Sequence, residues 1–121
     1  MIEASVDVPG NLLKVCYRGT IGPEETGRWL PQMESMIRQM QPGFRLLSDL
    51  SGLEVMDLGC VPHIEQVMDL CDDQGISMVV RIIPDPHKDI GLNIMSLFHY
   101  QRRVRIVTCE TIEEAQAALS R

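Results

Sequence analysis

The most constraining feature of this chain is that its hydrophobic period changes repeatedly. Ile2, Ala4, Val6 and Val8 alternate with Glu3, Ser5 and Asp7. Period two marks a strand with one wet face. Pro9-Gly10-Asn11 is a turn signal, and Leu13, Val15 and Tyr17 then alternate with Lys14, Cys16 and Arg18. A short turn-rich link between two such runs predicts an antiparallel hairpin. The period then lengthens. Pro23 suits a helix's first turn and Glu24 and Glu25 its positive end. Trp29, Met33, Met36, Ile37 and Met40 form one narrow apolar stripe, which Pro42-Gly43 ends.

The same switch recurs three more times. Phe44 to Leu50 is apolar on both faces, which predicts a central strand covered on both sides. A helix is expected from Gly59 to Gln74, with Pro62 in its first turn, Ile64, Val67, Met68 and Cys71 buried, and Gly75 as its stop. Ile76 to Ile83 is a β-branched strand. Asp85 and Pro86 can cap and open a third helix, with Ile90, Ile94, Leu97 and Phe98 on one face and Leu92 and Met95 off it. Arg103 to Thr108 is a fifth strand, and Thr111 to Leu119 a last helix with Thr111 and Glu114 in capping-box spacing. The order β-β-α-β-α-β-α-β-α predicts an α/β fold. An N-terminal β-hairpin leads into alternating β-α units, giving about five strands in a mostly parallel sheet and about four helices.

Size and charge narrow the function classes. The 121 residues suit one domain, 1–121, large enough to bury a core without metals or disulfides. Hydrophobic residues at 45% place it among globular chains. A net charge of -6 opposes phosphate backbones, so nucleic acid is not expected as a partner. Arg102, Arg103 and Arg105 form a basic cluster that reads as a solvated strand edge. Cys16, Cys60, Cys71 and Cys109 form no CxxC pair and no zinc-ligand spacing. The first residues carry no basic region followed by an apolar run, and no apolar stretch approaches the roughly 20 residues that span a membrane. Free thiols in a reducing cytoplasm are expected, with no membrane partner.

Candidate chemistry converges on Arg45 to Pro62, where a strand feeds through acids and turn residues into a helix. Sites in open α/β sheets lie at such strand ends. Asp49 is read as a turn former and Asp57 as a cap. Cys60 with His63 at i+3 is a conceivable nucleophile–base pair. However, Cys60 shares a face with Ile64, Val67 and Cys71, so it is expected to point into the core. His87, Lys88 and His99 are scattered over other elements. A phosphate-receiver domain would need further acids after the first parallel strand and a lysine after the last. Those ends read Tyr17-Arg18-Gly19 and Thr108-Cys109. No phosphate loop, serine-nucleophile elbow or HExxH motif is present, so no enzyme, cofactor or metal site is expected.

One stretch carries a resemblance. Leu47-Ser48-Asp49-Leu50-Ser51-Gly52-Leu53, followed by Val55-Met56-Asp57, resembles the D-L-S-G and D-S-S-G segments of the STAS family, the domain of anti-sigma-factor antagonists and sulphate-transporter tails. The closing Thr111 to Leu119 (TIEEAQAAL) is similar as well. The resemblance implies a regulatory domain acting by protein contact, with a kinase-like anti-sigma factor or another signalling component as partner. Carried over residue by residue, the contact surface is Asp57, Leu58, Gly59, Cys60, His63 and Gln66, with Glu65 beside them. This chain departs from the family where D-S-S-G reads Asp57-Leu58-Gly59-Cys60. Glycine occupies the place of the phosphorylated serine, so the charge switch that phosphorylation supplies has no hydroxyl to act on. The alternative is a small apolar or lipid-like ligand bound between the sheet and the first helix, which would need a cavity beside Met33, Met36 and Met40.

Overall fold

The structure, a computed structural model, describes residues 1–83 and 104–120. Five strands lie in the order β1-β2-β3-β4-β5: β1 (Ile2–Asp7), β2 (Leu12–Ile21), β3 (Arg45–Met56), β4 (Met78–Ile82) and β5 (Arg105–Cys109). β1 pairs antiparallel with β2, with Ile2 opposite Tyr17 and Asp7 opposite Leu12, and every other pairing is parallel. The sheet follows sequence order, each strand pairing with the next along the chain. Three α-helices fall among the described residues: α1 (Pro23–Arg38), α2 (Val61–Gln74) and α3 (Ile112–Leu119). The helix expected after Pro84-Asp85-Pro86 lies outside the described residues. His87, Lys88, Leu92, Met95, His99, Arg102 and Arg103 lie there too.

α1 and α2 cover one face of the sheet. Leu13, Val15, Leu46, Leu50 and Val79 from the strands meet Met33, Ile37, Ile64, Met68 and Cys71 from the helices, with Met40, just past α1, and Phe44 buried among them. α3 alone, among the described residues, covers part of the other face. Ala115 and Ala118 pack there on Leu47, Val80, Ile82 and Cys109. Thr111 caps α3 by accepting from Glu114 N–H at 3.2 Å, while the Glu114 carboxylate accepts from Glu110 N–H at 3.3 Å. This is the expected reciprocal cap, reaching one residue further back than the usual pairing.

β2 and β3 run longer than their apolar patterns predict. The cluster Ser48, Asp49, Ser51, Gly52 carries turn chemistry, yet the strand continues through it to Met56. Asp49 does make a local turn contact, accepting from Ser51 N–H at 3.0 Å and Ser51 Oγ at 2.6 Å. The sheet absorbs this through register shifts between Cys16 and Arg18 and between Gly19 and Thr20, and Gly19 sits at φ 69°. Such bulges keep two strands paired while one takes an extra residue. α1 runs unbroken through Pro31, which is exposed on its wet side. Gly75 ends α2 in a left-handed conformation, φ 92°, and Ile76 N–H returns to Cys71 C=O at 3.1 Å. That is the Schellman closure expected of a glycine stop.

Candidate functional site

Because β2 and β3 are parallel, their carboxyl ends lie together, and so do the starts of the helices that follow them. Asp57 N–H donates to Ile21 C=O at 3.0 Å, which ties the end of β3 to the end of β2. Leu58–Cys60 then forms one 3-10 turn leading directly into α2. Asp57 caps that turn, its Oδ1 accepting from Gly59 N–H at 2.7 Å. Cys60 N–H closes it on Asp57 C=O at 3.0 Å. The capping role expected for Asp57 is therefore present.

The surface residues expected from the sequence separate into two groups. Asp57, Leu58, Gly59, Glu65 and Gln66 are exposed. Leu58 is 62% exposed and Val55, just before it, 48%. Cys60 is withdrawn from the outward surface, and His63 is only partly exposed. The Cys60 side chain is fully buried, with Sγ 3.7 Å from Ile21 C=O. Burial pushes its thiol up, against a smaller opposing effect of the hydrogen bond from Thr26. Its face of the turn continues that of Ile64 and Cys71, so the core takes the side chain and only the backbone remains toward the outer surface. His63 turns toward α1: its Nδ1 lies 2.6 Å from Thr26 Oγ1, in a partly buried contact. A Cβ on Gly27 would lie 3.3 Å from His63 Cε1, so glycine is what lets the imidazole approach α1. Sequence spacing places His63 on the outer side of α2 but does not register a hydroxyl and a glycine on the neighbouring helix. Cys60 Sγ meets the Ile21 carbonyl and also the Thr26 hydroxyl that His63 contacts, so Thr26 stands between the thiol and the imidazole.

Gly59 is enclosed. A Cβ built on it would meet Asp57 Oδ1 at 3.0 Å, Pro23 Cγ at 3.1 Å and Pro23 Cβ at 3.3 Å. Pro23 opens α1, so the first turn of one helix occupies the space a side chain at 59 would need.

Two hollows lie elsewhere. A crevice of about 40 Å³ sits between α1, α2 and the sheet, bordered by Trp29, Met33, Ser48, His63 and Met68 among others. Met36 and Met40 do not border it, and Met40 is buried. The share of one water in the liquid is about 30 Å³, and sites for drug-sized ligands span about 300–1,000 Å³. The crevice therefore has room for about one water, not a lipid. A wider cleft of about 730 Å³ lies on the opposite face between the β1–β3 strands and α3. Its lining mixes apolar residues (Leu12, Leu47, Ile112, Leu119) with polar ones (Lys14, Arg18, Arg45, Asp49) drawn from separate elements, which no local period brings together. Arg45 there donates to Gly10 C=O at 3.1 Å and to Leu119 C=O. Cys16 Sγ lies 3.9 Å from Asp49 Oδ2, and burial, with Asp49 second, raises its thiol. Two of its charged groups thus hold the hairpin, α3 and β3 together. Among the described residues no group of three or more His, Cys, Asp or Glu is placed to hold a metal, and no helix is long and apolar enough to cross a membrane.

Known structures share this architecture. The anti-sigma factor antagonist SpoIIAA in its unphosphorylated form superposes with a TM-score of 0.69, covering 99% of this chain and 98% of its own at 11% identity. This is a STAS-like fold. A DUF3478-family protein of unknown function with a SpoIIAA-like fold, from Shewanella loihica PV-4, matches at TM-score 0.69 and 16% identity over 98% of this chain and 93% of its own. A candidate anti-sigma factor antagonist from Thermotoga maritima matches at TM-score 0.64 and 16% identity, covering 99% and 95%. No protein-family model matches the sequence, and no curated protein matches it.

Proposed function

We propose that this chain is a non-enzymatic regulatory domain that acts by binding another protein through the end of the sheet where β3 meets α2. Asp57, Leu58, Gly59 and Gln66 form the contact, with the partner a kinase-like anti-sigma factor or another signalling component. The observation that carries the reading is the STAS-like fold spanning essentially the whole chain at TM-score 0.69, shared with an anti-sigma factor antagonist. It is supported by the exposed, rigidly capped turn at the strand-end position where α/β folds place their sites. In this reading the usual phosphoserine switch is absent, since the matching residue is Gly59 and Pro23 fills the adjoining space.

The test is affinity capture from the native cytoplasm with wild-type protein and with Asp57→Lys, after circular dichroism has established that both are folded. A protein retained by the wild type and lost on Asp57→Lys is expected. Capture that is indifferent to Asp57→Lys, or no specific capture, refutes the contact surface.

A further inference from the structure

We infer that Leu58 is the apolar anchor of this contact, and that the partner presents an apolar pocket rimmed by basic side chains. The inference rests on the protein-contact reading above and names the chemistry of the surface that meets it. Leu58 has the largest fractional exposure of the large hydrophobic residues among those described, at 62%, with Val55 at 48% two residues before the cap. Nothing in the turn requires leucine. Its hydrogen bonds come from Asp57 and the backbone, and its inward side chain is Cys60. A polar residue at 58 would serve the local structure equally well and avoid placing a large apolar group in water.

The turn is also held in place. Asp57 N–H is tied to β2, Asp57 Oδ1 holds Gly59 N–H, and the Cys60 side chain is locked in the core. A side chain presented on so constrained a backbone loses little freedom on binding, which is how an anchor gains affinity. The surroundings give the partner's sign. Glu54 and Asp57 flank Val55 and Leu58 in sequence and are exposed, and so is Glu24, which follows the Pro23 that packs on Gly59. Exposed acidic residues next to the anchor in sequence, on a chain of net charge -6, favour a basic surface, through attraction that salt weakens.

The experiment uses the captured protein itself, identified by mass spectrometry and then purified, with its affinity for the full chain measured by calorimetry. Leu58→Ala is expected to weaken binding at least tenfold, while Leu58→Met stays within about threefold because it keeps the apolar volume. Glu24→Lys and Glu54→Lys, which lie outside the turn's hydrogen bonds, are expected to weaken it at low salt. Raising NaCl from about 0.1 M to about 1 M shortens the screening length from about 10 Å to about 3 Å and is expected to weaken it too. If Asp57→Lys abolishes binding but Leu58→Ala leaves it within threefold, the contact surface stands and the anchor is wrong. If Leu58→Ala weakens binding but neither the charge reversals nor salt do, the basic rim is wrong. If none of these variants changes the affinity, the contact surface itself is wrong.

Discussion

Gly59 and Cys60 are adjacent, yet one faces solvent and the other is fully buried, and each yields a prediction. A serine at 59 would bring its Cβ to 3.0 Å from Asp57 Oδ1 and 3.1 Å from Pro23 Cγ, closer than such contacts normally come. Either the cap or the first turn of α1 must give way. Overpacking of this kind costs about 1–3 kcal/mol, and because the site is open on its solvent side the low end, about 1 kcal/mol, is expected. Urea unfolding of Gly59→Ser should show a lower midpoint with an unchanged slope. An equal or higher midpoint would mean that Pro23 does not confine the position. Cys60, Cys71 and Cys109 are buried, whereas Cys16 is partly exposed. In native protein at neutral pH, iodoacetamide followed by peptide mapping should label Cys16 first and leave the other three until denaturant is added. Early labelling of Cys60 would contradict its place in the core. The sequence already points to its burial, because Cys60, Ile64 and Cys71 recur on one helical face. His63 was not legible in this way. Its environment is set by Thr26 and Gly27, 37 and 36 positions earlier, and no local period reports which helix comes to lie beside which.

The elements themselves were legible to different degrees, for physical reasons. Helix ends were well marked: Gly75 stops α2 in the left-handed region, Thr111 caps α3, and Pro23 opens α1. Each of these depends on a local backbone requirement that one residue type meets. Strand ends were less well marked. Ser51 and Gly52 carry turn chemistry, but pairing with β2 continues past them because β3 takes up an extra residue at each of two register shifts and β2 has a positive-φ glycine beside them. A strand's length depends on its neighbour as much as on itself. The α1–α2 contact tests the packing of elements directly. Thr26 is buried, and its hydroxyl lies 2.6 Å from His63 Nδ1 and 3.2 Å from Pro23 C=O. Thr26→Ala removes the hydroxyl and leaves a partly buried imidazole nitrogen without that partner, at a cost of about 1–3 kcal/mol. Thr26→Ser keeps the hydroxyl and should lose less. Comparing both with Thr26→Ala/His63→Ala in a double-mutant cycle isolates the pair, and a coupling energy near zero would show that the helices pack without it.

For the molecule as a whole, the fold follows from periodicity while the proposed contact surface follows from one departure from it. An alternating α/β pattern is enough to expect about five strands in a mostly parallel sheet, whereas an exposed leucine at 58 stands outside any period. The same whole-chain view gives an alkaline limit to stability. Tyr17 is buried, and burial, with Cys71 close by, pushes its phenol well above the usual range. Burial likewise raises the Cys60 and Cys16 thiols. In each case the folded protein keeps a proton that the unfolded chain gives up near its ordinary value, about 8.5 for cysteine and about 10 for tyrosine. The associated stability is therefore fully present below the unfolded values and declines as pH rises through them toward the folded ones. Thermal unfolding should show a midpoint that these groups leave unchanged from neutral pH to about 8, begins to fall as the unfolded thiols ionise, and falls more steeply above about 10 as tyrosine joins them. Tyr17→Phe removes the phenol but keeps the ring, so its midpoint should decline less steeply than that of the wild type above about pH 10, whatever its value at neutral pH. Parallel declines in the two proteins would mean that Tyr17 is hydrated enough to ionise in the folded state, and that the floor of the α1–α2 crevice is wetter than its packing implies.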